Sequence, residues 1–277
     1  MRNQDIDYSA VRKYWEEAGS ESAATASYMA HEQGLPEDSV RYRLEQEAFI
    51  VDEWLAGIDP ACSVLDFGAG AGAWSALFAQ RFARVVAVEQ STTMCEVAAK
   101  TLAAYPNATL INEDVRTFQT SDKFGAIFLG GMLMYLNRKD VVDVLRRLSG
   151  LLDKDGRIVL RESTIRKGME TRTDRYQVVY RTPGEYASII AEAGLHLIDT
   201  RINTGYRAME ISERFVDYLR LLPYVKSREV TRIGGPVWAL IKATEPLSLR
   251  LLPNLLDRLG VAWPHYRNHF FLVEAGA

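Results

Sequence analysis

Residues 64–75 read Val-Leu-Asp-Phe-Gly-Ala-Gly-Ala-Gly-Ala-Trp-Ser, an apolar run that is followed by three glycines at alternate positions. The apolar run predicts a buried strand, and the segment after the glycines predicts the start of a helix. Glycine reaches positive φ angles and has no Cβ, so a ligand can approach its backbone closely. A helix start also offers unpaired N–H groups and the positive end of the helix dipole. These properties predict a tight strand-to-helix turn that binds a small ligand, at least partly anionic.

The chain around this stretch alternates between strand patterns and helix patterns, which predicts an α/β fold with a doubly wound parallel sheet. The predicted strands cover residues 63–67, 85–88, 109–112, 126–129, 157–161, 196–204 and 268–274. The helices predicted between them cover residues 74–82, 92–104, 138–152 and 182–194. The last helix opens on Thr182-Pro183-Gly184-Glu185, a capping box with proline at the first helical position. Residues 58–206 and 268–277 are therefore predicted to form the sheet-containing core.

Helical patterns without strands occupy the two remaining regions, residues 1–57 and 207–267. We interpret the first region as a helical N-terminal arm and the second as a helical insertion before the last strand. The strand that precedes the insertion is parallel, so the chain leaves it at the ligand-binding edge of the sheet. The insertion is therefore expected to form a lid over the acceptor. Its leucine-rich run at residues 238–259 leaves a dimer surface or a peripheral membrane contact as alternatives.

The composition is that of an ordinary globular protein, with 277 residues of which 48% are hydrophobic and 25% are charged. A formal net charge of −3 gives no global positive field that would attract nucleic acid. Cys62 and Cys95 lack a metal-type spacing, so free thiols and no metal site are expected. The first residues lack the apolar core of a signal peptide, and no apolar run approaches the roughly 18 residues of a membrane span. A cytoplasmic protein is therefore expected.

Three carboxylates lie at the ends of the first three predicted strands, namely Asp66, Glu89 and Asp114. In a doubly wound sheet these strand ends share the edge where such folds bind their ligands. Glu89 is placed to accept hydrogen bonds from two ribose hydroxyls, and Asp114 to accept one from the exocyclic amine of an adenine. Asp66 can orient the glycine turn or meet an ammonium group. The alternative for each acid is a helix cap or a solvated turn.

The motifs in this region are similar to those of the class I S-adenosylmethionine-dependent methyltransferases. They are Val-Leu-Asp-Phe-Gly-Ala-Gly-Ala-Gly at 64–72, Val-Val-Ala-Val-Glu at 85–89 and Asn-Glu-Asp-Val at 112–115, with weaker matches at 124–131 and 151–160. The resemblance covers residues 60–205 and resumes at 268–274. It implies a Rossmann-like methyltransferase fold in which a seven-stranded sheet has its last strand antiparallel.

The resemblance also implies S-adenosylmethionine as the cofactor and S-adenosylhomocysteine as the product. By analogy with the family, the glycine turn carries the methionine part, Glu89 the ribose, and Asp114 with Val115 the adenine. Gly130, just after the fourth strand, would pass close to the methionyl end. The cofactor-binding residues that this analogy implies are Asp66, Gly68, Ala69, Gly70, Gly72, Glu89, Gln90, Asp114, Val115 and Gly130.

A dinucleotide site is the competing interpretation of the same turn. Gly68-x-Gly70-x-x-Ala73 satisfies the dinucleotide pattern, and an acid about twenty residues further on suits NAD equally well. However, dinucleotide-binding strands seldom carry an acid at the position of Asp66. A cationic sulfonium also suits an edge rich in carboxylates better than a pyrophosphate does, which favours S-adenosylmethionine.

The acceptor is expected to be a small metabolite, anionic or sugar-bearing, that is methylated at oxygen or nitrogen. Residues 130–135 read Gly-Gly-Met-Leu-Met-Tyr and lack the Asn/Asp-Pro-Pro-aromatic motif of enzymes that methylate nucleobase amines or protein glutamine. A methyltransferase that acts on RNA or protein, and a non-catalytic S-adenosylmethionine-binding protein, remain as alternatives. The sequence leaves the oligomeric state open.

Two groups of side chains are candidates for binding this acceptor. Basic and aromatic residues in the segment 161–181 could clamp a phosphate or carboxylate, and aromatic residues of the arm could close over the ligand. The alternatives without a binding role are that residues 161–181 form a solvated loop and that the aromatic residues only anchor the arm. The candidates are Tyr14, Trp15, Tyr28, Arg166, Tyr176, Tyr180 and Arg181.

In-line methyl transfer needs a general base only if the acceptor must lose a proton. The chain therefore need not carry an obvious catalytic residue. Tyr135 and Glu162 lie past the fourth and fifth predicted strands, and His265 lies just ahead of the last one. These three residues are the candidates for a base, although a lone histidine is more often structural.

Overall fold

The structure is a computed structural model that describes residues 5–20, 35–174, 176–221, 230–261 and 263–276. The α-helices in these residues are α1 (Tyr8–Ser20), α2 (Glu37–Trp54), α3 (Ala73–Ala79), α4 (Thr92–Leu102), α5 (Arg138–Ser149), α6 (Pro183–Glu192), α7 (Thr204–Arg220), α8 (Val230–Ala243) and α9 (Leu252–Arg258). The strands are β1 (Ser63–Phe67), β2 (Arg84–Glu89), β3 (Ala108–Asn112), β4 (Phe124–Leu129), β5 (Leu152–Ile165), β6 (Glu170–Arg172), β7 (Val178–Tyr180), β8 (Leu195–Ile202) and β9 (Tyr266–Ala275). A 3-10 helix spans Leu133–Tyr135, and a π-helical segment spans Pro246–Leu251.

Seven strands form one sheet in the order β3-β2-β1-β4-β5-β9-β8. Strands β1 to β5 pair in parallel, and the last strand, β9, is antiparallel. This order confirms the predicted Rossmann-like methyltransferase fold. Phe67 of β1 pairs with Val88 of β2, and Glu89 pairs with Asn112 of β3. The register therefore brings the carboxyl ends of these three strands to one edge of the sheet.

Side chains on the two faces of the central strands build the core of the sheet. Leu65, Ile127 and Leu129 are fully buried and pack in one cluster with the apolar face of α5. Phe128 points to the opposite face, because successive side chains of a strand alternate, and its ring lies 4.4 Å from that of Trp74 at the start of α3. Both faces of the central strands are thus covered, as expected of a parallel sheet.

The predicted start of α6 is confirmed. The hydroxyl oxygen of Thr182 accepts a hydrogen bond from the Glu185 N–H at 3.1 Å, and Pro183 is the first helical residue. Helix α4 begins in a similar way, since the hydroxyl oxygen of Ser91 accepts a hydrogen bond from the Met94 N–H. These caps satisfy donors that a helix start leaves unpaired, and they fix where each helix begins.

The segment between the fifth strand and α6 contains more strand than the sequence indicates. Strand β5 continues to Ile165, well beyond the predicted end at residue 161, and β6 and β7 then form an antiparallel hairpin. The additional strand residues Thr164 and Ile165 are buried. The hairpin is also anchored by buried side chains, those of Val178 and Val179. Residues 161–165, 170–172 and 178–180 of the basic segment are therefore strand, which the sequence analysis does not predict beyond residue 161.

The chain divides into two compact units. The sheet unit contains α1, residues 54–201 and residues 269–276, and the helical unit contains α2 and residues 202–268. The helical unit has its own apolar core, in which buried residues of α7 and α8 pack together with Leu249. Its polar core joins Asn203 to Glu47 at 2.6 Å and to Asn268 at 3.0 Å.

This division separates two helices that the sequence analysis groups in one arm. Helix α1 buries Val11, Tyr14 and Ala18 and packs on α4 within the sheet unit. Helix α2 buries Ser39, Arg43 and Glu47 and belongs to the helical unit. Periodicity identifies a helix and its buried face but not the neighbour that this face meets, which explains the difference.

No helix in the described ranges is both long and apolar enough to cross a membrane. Cys62 and Cys95 are both free cysteines, as the sequence predicts.

Candidate cofactor and acceptor site

The glycine turn between β1 and α3 folds back onto the end of β2. Gly68, Gly70 and Gly72 have φ angles of +85°, +55° and +81°, a conformation that glycine adopts at little cost. The N–H groups of Gly68 and Ala69 both donate to the Val88 carbonyl oxygen at 2.9 Å. The turn is thus tied to the neighbouring strand by hydrogen bonds that use its own N–H groups. The expectation that these N–H groups meet an anionic ligand does not fit this geometry.

Asp66 orients the start of α3. Its carboxylate is buried and accepts hydrogen bonds from the Ser75 hydroxyl, at 2.5 Å, and from the Ser75 N–H. Burial raises the pKa of Asp66 to about 6, and the nearby charge of Glu89 acts in the same direction, while Ser75 opposes it. Asp66 thus orients the first turn of α3, and its contact with an ammonium group stays a prediction.

Glu89 joins the glycine turn to the start of α4. One carboxylate oxygen accepts a hydrogen bond from the Gly70 N–H, and the other accepts one from the Ser91 N–H, both at 2.8 Å. The side chain is buried, and burial raises its pKa above the ordinary value. The Gln90 N–H also donates to this carboxylate, so three of its roughly four acceptor positions are engaged and one remains for a hydroxyl group.

Asp114 is held by arginines that the sequence analysis did not single out. Arg116 donates to it from its backbone N–H at 2.9 Å and from its guanidinium at 2.6 and 3.1 Å, and Arg12 of α1 adds a contact at 3.4 Å. Burial opposes ionisation of Asp114, but the hydrogen bonds from Arg116 outweigh it and hold its pKa below the ordinary value. Asp114 is therefore an ionised, oriented acceptor at the end of β3.

Helix α1 lies along this edge of the sheet. The Glu16 carboxylate accepts hydrogen bonds from the backbone N–H groups of Thr92, at 2.9 Å, and Thr93, at 3.1 Å, which occupy the first turn of α4. The Trp15 carbonyl oxygen accepts one from the Ser91 hydroxyl at 3.2 Å. Through these contacts and Arg12, α1 reaches the ends of both β2 and β3. Sequence periodicity carries no signal for Glu16, because its partners lie 76 and 77 positions away.

Four aromatic rings meet beside the 3-10 helix that follows β4. The ring centroids are 5.4 Å apart for Trp15 and Tyr135, 5.1 Å for Tyr14 and Tyr176, and 5.9 Å for Tyr135 and Tyr176. The hydroxyl oxygens of Tyr135 and Tyr176 are 2.8 Å apart. Three expected acceptor residues thus come together with one expected catalytic residue, and we call these four the aromatic cluster.

Tyr135, the residue of the aromatic cluster that the sequence analysis proposes as a base, is a hydroxyl donor at neutral pH. Burial raises the pKa of Tyr135 well above its ordinary value, although the hydrogen bond to Tyr176 opposes this shift. A phenol with a raised pKa keeps its proton, so Tyr135 can orient an acceptor but is poorly suited to accept a proton from it.

Glu162 and Arg181 hold the 3-10 helix that carries Tyr135. Glu162 lies inside β5, is fully buried, and accepts hydrogen bonds from the N–H groups of Leu133, at 3.0 Å, and Met134, at 3.3 Å. Arg181 is also fully buried and donates to the carbonyl oxygens of Leu133, at 3.1 Å, and Leu136, at 2.6 Å. Burial raises the pKa of Glu162 to about 7. This geometry suits Glu162 and Arg181 to the role of positioning the 3-10 helix. It suits Glu162 less well to that of a catalytic base, and Arg181 less well to that of a clamp for an anion.

The remaining expected residues are spread over the structure. Gln90 and Val115 directly follow Glu89 and Asp114, and the Gly130 carbonyl oxygen accepts a hydrogen bond from Arg161 at 2.5 Å. Tyr180 is buried at the end of β7, and Arg166 is half-buried just past β5. His265 is exposed and belongs to the helical unit. Tyr28 lies outside the described residues.

Comparisons with known proteins identify the type of domain. A family model described as a methyltransferase domain matches residues 64–156. Phosphoethanolamine N-methyltransferase 3 of Arabidopsis thaliana is 26% identical over 149 residues, which cover 52% of this chain and 30% of that protein. The match thus spans about a third of the length of the curated relative.

Solved structures of low sequence identity share the fold. An S-adenosylmethionine-dependent methyltransferase of Leishmania major superposes with a TM-score of 0.59 at 17% identity, covering 71% of this chain and 76% of that chain. An O-methyltransferase from a polyketide synthase of Brevibacillus brevis, in complex with S-adenosyl-L-homocysteine, gives a TM-score of 0.53 at 17% identity, covering 77% and 66%.

Proposed function

We propose that the protein is a class I S-adenosylmethionine-dependent methyltransferase that methylates a small molecule, and the match of residues 64–156 to a methyltransferase domain supports this proposal. The sulfonium methyl passes to a nitrogen or oxygen of the acceptor in one in-line displacement. The acceptor's lone pair forms the new bond to carbon, the S–CH3 bond breaks, and S-adenosylhomocysteine leaves. This reaction is accelerated mainly by holding the two reactants aligned in a dry site.

The observation that carries the proposal is the position of Glu89. Its carboxylate bridges the Gly70 N–H and the Ser91 N–H, which fixes both oxygens at the edge of the sheet beside the glycine turn. The acceptor capacity that remains on this carboxylate suits a ribose hydroxyl of the cofactor. Asp114 and Val115 at the end of β3 are then assigned to the adenine, and Gly68 and Gly130 to the methionyl end.

The aromatic cluster is the proposed acceptor end of the site. Its Tyr135 lies in the 3-10 helix that follows β4, and its Trp15 belongs to α1, the helix that also contacts Ser91 beside Glu89. Faces of aromatic rings attract a cation, so this cluster suits the sulfonium and the positive charge that an attacking amine acquires. The Tyr135 and Tyr176 hydroxyls supply polar groups that orient the acceptor.

A nitrogen acceptor fits these residues better than an oxygen acceptor. A neutral amine attacks without a base and loses its proton to solvent afterwards, whereas a hydroxyl must usually give up its proton during the attack. Tyr135 has a raised pKa and Glu162 is committed to the backbone of the 3-10 helix, so neither is suited to take that proton. The similarity to a phosphoethanolamine N-methyltransferase supports the same choice.

A turnover assay tests the proposed reaction. The protein is incubated with S-adenosylmethionine and a panel of small amines that includes phosphoethanolamine, and each amine is paired with its hydroxyl counterpart. Release of S-adenosylhomocysteine and a mass increase of one methyl group are expected for an amine and not for its hydroxyl counterpart. Turnover only with RNA or a protein acceptor, or with none of the acceptors, contradicts the proposal.

Two variants of Trp15 distinguish a cation–π contact of its ring from a role in packing alone. Trp15→Phe keeps a π face, whereas Trp15→Leu removes it. We expect Trp15→Leu to lower kcat/KM for the amine by roughly 5- to 30-fold relative to Trp15→Phe, since a cation–π contact is worth about 1–2 kcal/mol. Equal losses in the two variants would show that Trp15 serves only to anchor α1.

A further inference from the structure

The helical unit exposes a row of leucines along one continuous helical segment. Leu247, Leu251, Leu255 and Leu259 follow one another at intervals of four residues, through the π-helical segment and α9 and one residue beyond. Their exposed fractions are 57, 60, 50 and 68%. We call these four residues the leucine stripe. Isolated exposed leucines are ordinary, but a contiguous apolar row on one helical face marks an interaction surface.

The opposite face of the same segment is anchored in the core of the helical unit. Leu249 is 2% exposed and packs with Trp238 and Ile241. The Ser248 hydroxyl donates to the Ile241 carbonyl oxygen at 3.0 Å, and Arg207 donates to the Leu249 carbonyl oxygen at 2.9 Å. The segment is therefore held firmly, and its orientation leaves the leucine stripe facing outward.

Two arginines flank the stripe on the exposed face. Arg250 and Arg258 are both exposed, and Asn254 lies between them. Residues 246–259 carry these two arginines and one acid, Asp257, so the formal charge of the segment is +1. This local positive charge stands on a chain whose formal net charge is −3, so it is a feature of the face and not of the whole protein. An exposed row of leucines that is flanked by arginines is typical of helices that lie in a membrane interface.

We propose that the leucine stripe docks on a membrane surface that contains anionic phospholipids. The leucines enter the boundary between headgroups and acyl chains, and Arg250 and Arg258 contact lipid phosphates. The contact is peripheral and reversible, which agrees with the absence of a membrane-spanning helix among the described residues.

The charges favour a lipid surface over a second copy of the chain. A symmetric dimer uses the same patch on both copies. If two stripes met antiparallel about Asn254, which lies midway between the two arginines, Arg250 of one copy would face Arg258 of the other, and like charges would be brought together. An anionic lipid surface instead pairs both arginines with opposite charge.

A vesicle flotation experiment with the full chain tests this proposal. The protein is mixed with phosphatidylcholine vesicles or with vesicles that also contain phosphatidylglycerol, and the floated fraction is measured at low and high salt. Binding is expected on the anionic vesicles and is expected to weaken as salt screens the arginines. Failure of the unmodified protein to float with either type of vesicle overturns the proposal.

Variants on the stripe sharpen the test. Leu251→Ser with Leu255→Ser is expected to lower vesicle partitioning at least tenfold. Arg250→Gln with Arg258→Gln is expected to lower it on anionic vesicles only, by roughly fivefold for each arginine. Phe49→Ser is the matched control, because Phe49 is 70% exposed in the same unit but lies outside the stripe, and its partitioning should not change.

Two further measurements decide between a membrane and another occupant. Unfolding temperature and S-adenosylhomocysteine binding show that the variants stay folded. Light scattering after size exclusion reports the oligomeric state of each variant. The proposal is overturned if the double leucine variant floats like the unmodified protein, or if its only change is the loss of a dimer.

Discussion

At the scale of single residues, the buried acid Glu162 has a structural role that can be measured. It receives the N–H groups of Leu133 and Met134, and it lies near the guanidinium groups of Arg161 and Arg181 and the hydroxyl of Tyr186. Burial nevertheless dominates and raises its pKa from 4.5 to about 7. The folded state therefore favours the protonated acid over the carboxylate.

The consequence is a specific dependence of stability on pH. A group whose pKa is higher in the folded state contributes stability below its unfolded pKa, and that contribution is lost as pH rises through the folded pKa. We expect the contribution of Glu162 to the free energy of unfolding to fall by up to about 3 kcal/mol between pH 4.5 and 7.5, since one pKa unit is about 1.4 kcal/mol. Glu162→Gln cannot ionise and should show a flatter profile over this range.

Denaturant unfolding of the two proteins at several pH values measures this difference. Glu96→Gln is the control, because Glu96 is exposed on α4, and its profile should follow that of the unmodified protein. Parallel profiles for the unmodified protein and Glu162→Gln contradict the assignment of a buried, protonated acid at this position.

At the scale of elements, helix α1 completes the edge of the sheet. Glu16 accepts hydrogen bonds at the start of α4, where the helix leaves N–H groups unpaired and where its dipole favours a negative charge. Removing this carboxylate leaves those donors without their partner. The same loss leaves α1 attached to this edge only through its remaining contacts, among them those of Trp15 with Ser91 and of Arg12 with Asp114.

Glu16→Ala is therefore expected to lower the free energy of unfolding by about 1–2 kcal/mol, the usual cost of losing a cap. Hydrogen exchange should quicken at the N–H groups of Thr92 and Thr93. Lys13→Ala on the exposed side of the same helix is the control and should change neither quantity. Unchanged exchange in Glu16→Ala would mean that α1 does not cap α4 in solution.

The same edge shows what could be predicted from the sequence. Glu89 and Asp114 were found because parallel strands end at one edge, so a short motif at each strand end is enough to place them together. Arg12 and Glu16 could not be found in this way, because their partners lie on other elements 102 and 76 positions away. Arg181 looked like a ligand for anions, and only its burial shows that it binds the backbone of the 3-10 helix.

At the scale of the whole molecule, the proposed activities lie on different units. The residues proposed to hold the cofactor, and the aromatic cluster, belong to the sheet unit. The leucine stripe belongs to the helical unit, which has its own core. Substitutions in the stripe should therefore change vesicle binding and leave cofactor affinity unchanged.

Titration calorimetry with S-adenosylhomocysteine tests the central claim most directly. The unmodified protein should bind one equivalent, and Glu89→Gln should bind at least about tenfold more weakly, since it loses a charge-assisted hydrogen bond to the ribose. Glu96→Gln should bind like the unmodified protein. No binding to the unmodified protein, or equal affinity in a folded Glu89→Gln, would contradict the claim that this edge holds the cofactor.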